Sequence, residues 1–393
     1  MAFDLTAASA ILKEDYLPPV REQLNNDNYV IMKLVQKKQE ATGKRFYVPL
    51  HYGRNSGVGY RGEGANLPTA GNQKYKESTG TVKYLYGRIE ITGPTIFAAR
   101  NDKGAFIRAV ESEMKGLLKD LKDQRARALF GDGTGKLATF AAHGTATNTL
   151  TVDKVKYFQV GMLIDIVDSG GNVTVSGREI TAIDKTNKTI TISGAGVTTA
   201  ATDIAVVSGD YNVEAMGLGG IMNPNLTLQG INPATDTWWK PNRIDNGGTN
   251  RAISEQLMRQ AIDLSELEGG KIDLITASYG VRASYEALLQ QFKRFVNPME
   301  LEGGFKALEF DGKPIIVDRY HESNRMYFLD TSELDLYQLA DFQWMERDGA
   351  VLHRVSNKDA YEATMFCYET LVTYKRNSHT ELADITEPAG YTV

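Results

Sequence analysis

Residues 46–92 read FYVPLHYGRNSGVGYRGEGANLPTAGNQKYKESTGTVKYLYGRIEIT. Phe46, Val48, Leu50 and Tyr52 alternate along one face of a strand, and Leu85, Ile89 and Ile91 mark a second run over Thr81 to Thr92. Between the two runs, Gly53 to Gly80 is rich in Gly, Asn, Ser and Lys and poor in aliphatics. Structureless connections beyond about 12–15 residues are uncommon inside a compact domain and are usually functional. Two strands bury little by themselves, because an isolated hairpin is marginal in water. The stretch therefore predicts a long hairpin that projects from a body and rests on another molecule.

Downstream, the periodicity changes from two to 3.6. Ile107, Val110, Met114, Leu117, Leu118, Leu121, Ala128 and Leu129 form one stripe of a helix from about Asn101 to Phe130. Asn101 or Asp102 can cap its start, and Gly131 ends it. Its other face carries Lys115, Lys119, Lys122, Arg125 and Arg127 among acidic residues, so it reads as a spine under a sheet. From Leu137 to Asp210 the composition shifts to Thr, Val, Ile and Gly. Short strands are expected at Thr149–Val152, Met162–Val167, Val173–Ile183, Thr189–Ser193 and Ile204–Ser208, a small inserted all-β barrel.

From Tyr211 the texture is α/β. Ile253 to Leu264 and Val281 to Phe292 read as helices, with Ile272–Thr276 as a strand between them. The turn Asp311-Gly312 joins Phe305–Phe310 to Ile315–Val317 in a β-hairpin, and Met326–Leu329 and Leu334–Leu339 add strands. Glu362–Lys375 alternates with Phe366, Tyr368, Val372 and Tyr374 on one face, long enough to return to the Ile89–Thr92 strand and the spine helix. Upstream, Leu5 to Leu17 carries helical signals and Pro18-Pro19 stops it. The apolar cluster Tyr29, Val30, Ile31, Leu34 and Val35 follows, then a polar stretch from Gln36 to Lys44. So short an arm has no core of its own and must lie on something else.

Composition bounds the function. The 393 residues are 42% hydrophobic and 24% charged, as in ordinary globular chains, with a formal net charge of −5. No excess of Lys and Arg advertises a nucleic-acid binder. Cys367 is the single cysteine, which excludes an intrachain disulfide and a multi-cysteine zinc site. No apolar run approaches the roughly 20 residues of a membrane helix, and Met1–Ala10 lacks a signal-peptide pattern. A cytoplasm-like compartment without membrane association is expected.

The order of parts resembles the major capsid proteins of tailed bacteriophages, of the Hong Kong 97 type. Local wording is also similar: Leu12-Lys13-Glu14-Asp15-Tyr16, Pro49-Leu50-His51-Tyr52-Gly53-Arg54, Lys103-Gly104-Ala105-Phe106 and Leu129-Phe130-Gly131-Asp132-Gly133-Thr134-Gly135. The resemblance implies an α+β fold with an arm (1–45), an extended hairpin (46–93), and the spine helix with the first part of a peripheral domain (94–136). A β-rich insertion (137–210), an axial α/β domain (211–355) and a return strand with tail (356–393) complete it. It further implies self-assembly into pentamers and hexamers of an icosahedral shell around double-stranded DNA. Scaffolding, portal and decoration proteins would be partners, and DNA would be contacted without sequence preference. A nanocompartment shell of the same fold and a soluble enzyme with a long lid loop are the alternatives.

Catalytic chemistry finds no foothold in the residues. Gly57-Val58-Gly59-Tyr60-Arg61-Gly62 matches a dinucleotide fingerprint in letters, but Pro68 and polar residues follow where an amphipathic helix is required. Asp132-Gly133-Thr134-Gly135 lacks the Lys-Ser/Thr of a phosphate loop and reads as a helix stop. His51, His143, His321, His353 and His379 are scattered, and Cys367 sits mid-strand as a small hydrophobe. Asn172, Asn187 and Asn225 begin glycosylation triplets that mean little without a secretion signal. Lys33, Lys37, Lys38, Lys44 and Arg45, with Lys115 to Arg127, could touch DNA or simply be solvated. Some relatives crosslink a hairpin lysine to a neighbour's asparagine; Lys74, Lys76 and Lys83 lie in the right region, but no motif names a partner. No catalytic, cofactor or metal residue is assigned.

Overall fold

The computed structural model describes residues 30, 33, 39–40, 45–94, 103–291, 299–300, 306–346 and 350–391. The expected arm, including its Leu5 to Leu17 helix, lies almost wholly outside them. A two-residue strand β1 (Gln39–Glu40) precedes β2 (Arg45–Gly53). The partner of β2 is not the Thr81–Thr92 run but β3 (Lys74–Thr81), in antiparallel register from Arg45↔Thr81 to Gly53↔Lys74. A quarter of the expected loop is thus a strand, and the tip is confined to residues 54–73. Alternation in β3 is hidden because its inward positions are Lys76, Ser78 and Gly80, and the Phe46 ring fills the space where Gly80 would carry a Cβ, 2.2 Å away.

One residue, buried Val82, separates β3 from β4 (Lys83–Thr92). Below β4 runs helix α1 (Lys103–Phe130), with Met114, Leu118 and Leu121 buried against Ile89 and Ile91. Gly87 permits the close approach, because a Cβ there would lie 2.8 Å from the Leu117 side chain and 2.9 Å from that of Leu121. Burying each such Leu contributes on the order of 2–3 kcal/mol. The Gly131 N–H donates to the Ala128 carbonyl at 3.0 Å as the helix ends.

Strands β5 (Lys136–Thr139), β6 (His143–Thr147), β7 (Thr149–Thr151), β8 (Leu163–Val167), β9 (Val173–Asp184), β10 (Thr189–Ile192), β11 (Val197–Thr199) and β12 (Ile204–Val207) follow. Six of them form a sheet in the order β5-β12-β8-β9-β10-β7, and β11 pairs with β6. A bridge between Phe140 and Val152 joins the two ends of the six-stranded sheet and closes it into a barrel. Leu137, Leu150, Ile164, Ile166, Ile180 and Ile190 fill its interior. The barrel starts and ends on paired strands, with Val206 opposite Lys136. Its core is continuous with the body: Val155, Tyr157 and Phe158 pack in the same cluster as Trp239, Tyr320, Tyr327 and Leu336.

The α/β part contains α2 (Leu218–Met222), β13 (Asn242–Ile244), α3 (Glu255–Leu267), β14 (Leu274–Ala277) and α4 (Tyr279–Gln291). Ser254 caps α3, its hydroxyl accepting from the Leu257 N–H at 3.3 Å. Then come β15 (Met299–Glu300), β16 (Lys306–Phe310), β17 (Lys313–Val317) and β18 (Met326–Leu329). Asp311 (φ 53°) and Gly312 (φ 73°) make the two-residue turn of the expected β16–β17 hairpin. The remaining strands are β19 (Leu334–Trp344), β20 (His353–Arg354), β21 (Ala360–Thr373) and β22 (Thr380–Leu382). A seven-stranded sheet runs β13-β22-β18-β14-β17-β16-β15. Met258, Ile262, Val281 and Tyr285 from α3 and α4 join a cluster with Ile275, Ile315 and Phe328 of this sheet.

The second sheet, β1-β19-β21-β20, carries β4 on β21 in unbroken register from Lys83↔Glu369 to Thr92↔Ala360. This is the expected return of the long C-terminal strand to the start of the chain. Ala363, Met365 and Cys367 face α1, whereas Phe366 and Tyr368 lie on the opposite, half-exposed face.

Candidate functional site

The hairpin is anchored at its base and open at its tip. The Phe46 ring lies 5.1 Å from that of Tyr337, and Tyr52 stacks on Trp238 at 5.1 Å and 15°. Lys76 pairs with Asp236 at 2.5 Å, and the Thr79 N–H donates to the Gln229 carbonyl at 2.9 Å. Beyond these contacts the tip presents Val58 at 63%, Leu67 at 87% and Tyr60 at full exposure. Three large apolar side chains on one 20-residue tip, left uncovered by the described residues of their own chain, mark an interaction surface. A second exposed group lies across the sheet from α1. There Tyr84 meets Tyr368 edge-on at 4.8 Å, the Tyr86 hydroxyl donates to that of Tyr368 at 3.2 Å, and Phe366 lies 4.7 Å from Tyr368. The period-two pattern of β21 displayed these aromatics, but not that their face lies away from the helix.

Two arginines assigned to the polar face of the helix are buried instead. Arg125 makes a bidentate pair with Glu369 at 2.6 and 2.7 Å. Burial opposes its charge, and the Glu369 carboxylate overcomes that and raises its pKa. Arg127 donates to Glu214, and Gln124 bridges Asp210 (2.5 Å) and Glu214 (3.1 Å). Charge alone in the sequence could not reveal this, because both partners are distant along the chain. Lys115 and Lys119 remain exposed, while Lys33 pairs with Asp273 at 2.5 Å. Lys37, Lys38 and Lys44 lie outside the described residues. Of the hairpin lysines, Lys76 is engaged by Asp236, and Lys83 donates to the Asn212 carbonyl at 3.2 Å.

The groups weighed for chemistry stand apart. His51 bonds Gln73 at 2.7 Å, His143 bonds Thr199 at 2.9 Å and His353 faces the Met345 carbonyl at 3.1 Å. His321 and His379 are fully buried, with pKa values pushed down to about 3 and about 4 by burial. Among the described residues no three His, Cys, Asp or Glu side chains are grouped as metal ligands. Burial, with Glu369 nearby, holds the Cys367 thiol well above its usual range, so it is not a poised thiolate. The element after Gly57–Gly62 is strand β3, not a helix. Asp132 accepts the Thr134 N–H at 3.0 Å in a tight turn with Gly133 and Gly135 at positive φ. Among the described residues no helix is long and apolar enough to cross a membrane.

A barrel-bearing α+β body, a ribbon that reaches out from an edge strand and a long helix beneath the sheet together define the fold of a bacteriophage capsid protein. A chain of the Cyanophage A-1(L) capsid asymmetric unit has this fold. It aligns over 95% of this chain and 96% of its own, with a TM-score of 0.58 and 13% identity. A chain of Mycobacterium phage Bobi aligns over 89% of both chains at a TM-score of 0.47 and 8% identity. An encapsulin complex from Synechococcus elongatus PCC 7942 aligns over 91% of this chain and 88% of its own, at 0.49 and 7%. Neither a family model nor a curated protein matches the sequence.

Proposed function

We propose that this chain is a major capsid protein whose copies form pentamers and hexamers of an icosahedral shell around double-stranded DNA. The observation that carries the reading is the tip, where Val58, Tyr60 and Leu67 are held in water by a ribbon whose base is fixed. Such a surface gains stability only by burial on another molecule, and obligate assemblies use interfaces of about 2,000 Å² or more. The chain's role is assembly, not catalysis, and its place is the virion. Exposed Lys115 and Lys119 are available to DNA through sequence-independent contacts. Scaffolding, portal and decoration proteins are the further partners proposed.

The test is expression alone and with a scaffolding partner, read by sedimentation and negative-stain microscopy. Capsomers, shells or tubes are expected. Replacing residues 54–73 with a two-glycine turn should leave the subunit melt unchanged and abolish closed particles. Stable monomer under every assembly condition, or normal shells without the tip, refutes the reading.

A further inference from the structure

Strand β4 pairs with β21 on one side only, so among the described residues its other edge is open. Where β4 begins, a cavity of about 90 Å³ lies between the strand, the last turns of α1 and β21. Leu85, Ala128, Leu129, Met216 and Leu371 give it apolar walls, and Lys83, Asp210 and Glu214 bring charge to it. Glu214 is only 8% exposed. Its Oε1 accepts from Arg127 and Gln124, whereas its Oε2 is buried and accepts no hydrogen bond among the described residues. Asp210 accepts from the neutral Gln124 side chain at 2.5 Å and forms no salt bridge among the described residues. Burial raises its pKa although the Arg127 charge acts in the opposite sense. A buried carboxylate oxygen left without a donor costs free energy, and a charged donor recovers more of it than a neutral one.

We propose that this cavity binds a small primary alkylammonium ion, its N–H donors on Glu214 and Asp210 and its unbranched chain along Leu85, Leu129 and Leu371. The site is independent of the shell reading, since one subunit supplies all of it. Size agrees. A dry cavity of about 150 Å³ takes the six carbons of benzene, so this one takes roughly four non-hydrogen atoms, one nitrogen and three carbons. An anion would meet the Asp210, Glu214 and Glu369 carboxylates in the same lining. A metal ion needs converging ligands, and among the described residues no three such side chains are grouped. Water would serve the carboxylates and leave the apolar walls unfilled. The chain's own cations are engaged elsewhere: Arg125 on Glu369, Arg127 on the other oxygen of Glu214, and Lys83 on the Asn212 carbonyl at 3.2 Å. Lys83 also sets a limit. Its charge stands at the cavity, so an amine with a second charge at its far end is repelled.

The test is calorimetric titration of n-propylamine into the full-length chain at pH 7.5, with 1-propanol and 1,3-diaminopropane as comparisons. The monoamine should bind at a single site, about tenfold or more tighter than the neutral alcohol of the same size or the diamine. Glu214→Gln keeps an oxygen for Arg127 and should weaken binding about tenfold, and Lys83→Met should strengthen it. Ala128→Leu fills the cavity without changing its charge and should abolish binding. Circular dichroism melts establish that each variant is folded. No saturable heat from n-propylamine, equal binding of 1-propanol, or binding undiminished in both Glu214→Gln and Ala128→Leu overturns the proposal. Where those two variants fail to fold, Lys83→Met decides, and an unchanged affinity overturns it. An amine bound by the subunit but expelled as particles form assigns the cavity to a lysine side chain of another copy and overturns the free ligand.

Discussion

Acidifying the unassembled subunit from pH 7.5 to 5.0 probes two histidines buried without charge. The His379 Nδ1 accepts the Asp330 N–H at 3.2 Å, which leaves the proton on Nε2, 3.1 Å from the Thr373 hydroxyl. Protonating Nδ1 would set donor against donor. His321 gives its Nδ1 proton to the Glu322 carbonyl at 2.8 Å, and its Nε2 is buried without a partner near the Phe130 and Tyr327 rings. Charged groups also face them: Asp330, Asp273 and Arg376 around His379, and Lys156 and Arg325 around His321. With folded pKa values of about 4 and about 3 against 6.5 when unfolded, only the unfolded chain takes up these protons as pH falls below 6.5. The stability present above pH 6.5 is therefore lost on acidification. At pH 5.0 the loss is about 2 kcal/mol per histidine, or about 4 kcal/mol in all. Asp165 and Asp273, whose pKa values are lowered, weaken the fold only below about pH 4, outside the window. Asp210 and Glu381, raised by burial, act in the opposite sense and trim the loss. Urea melts at the two pH values measure it. His379→Gln and His321→Phe should each remove about half of the difference. A flat profile in the parent, or an undiminished slope in both variants, refutes the assignment.

Three other perturbations follow from the packing. Arg376 is fully buried and donates to the carbonyls of Ile221 (2.7 Å), Leu226 and Gly220 (both 2.9 Å) and to that of Asn223. Arg376→Ala strands these acceptors and should cost about 3–5 kcal/mol in urea titration; a change below 1 kcal/mol would deny the clamp its role. Gly87→Val drives two methyls toward Leu117 and Leu121 and should destabilise by about 1–3 kcal/mol, whereas Gly116→Ala, with open space around it, should not. Excising residues 137–206 with a Gly/Ser bridge is expected to leave a body that folds with a lowered melting temperature, because Tyr157 no longer covers Tyr320 at 6.0 Å. An unchanged melt would show that the seam contributes nothing.

Legibility followed the range of the forces involved. Five of the eight barrel strands, the α1 stripe and the Asp311-Gly312 turn depend on neighbours a few residues away, and local pattern displayed them, whereas β5, β6 and β11 were not expected. Strand β3 escaped because it owes its place to Phe46 filling the gap over Gly80 and to Ser78 and Thr79 meeting Gln229, contacts that leave no apolar alternation. Arg125 and Arg127 were misassigned to solvent because Glu369 and Glu214 reach them only after the chain has folded. The open edge of β4 has no sequence mark at all; it is defined by what the described residues leave uncovered.

A single buried residue, Val82, links the ribbon to the sheet, so residues 74–92 run almost as one extended tether from the tip to the floor of the body. Ladder bonds lie perpendicular to their strands, so tension along this tether meets the β4–β21 pairs in shear. All ten pairs then share the load, where a perpendicular pull would part them one by one. Pulling a single subunit through Tyr60 should give one high-force event and not a series of small ones. In the proposed shell, a force that draws neighbouring copies apart would be resisted by the subunit in its strongest direction.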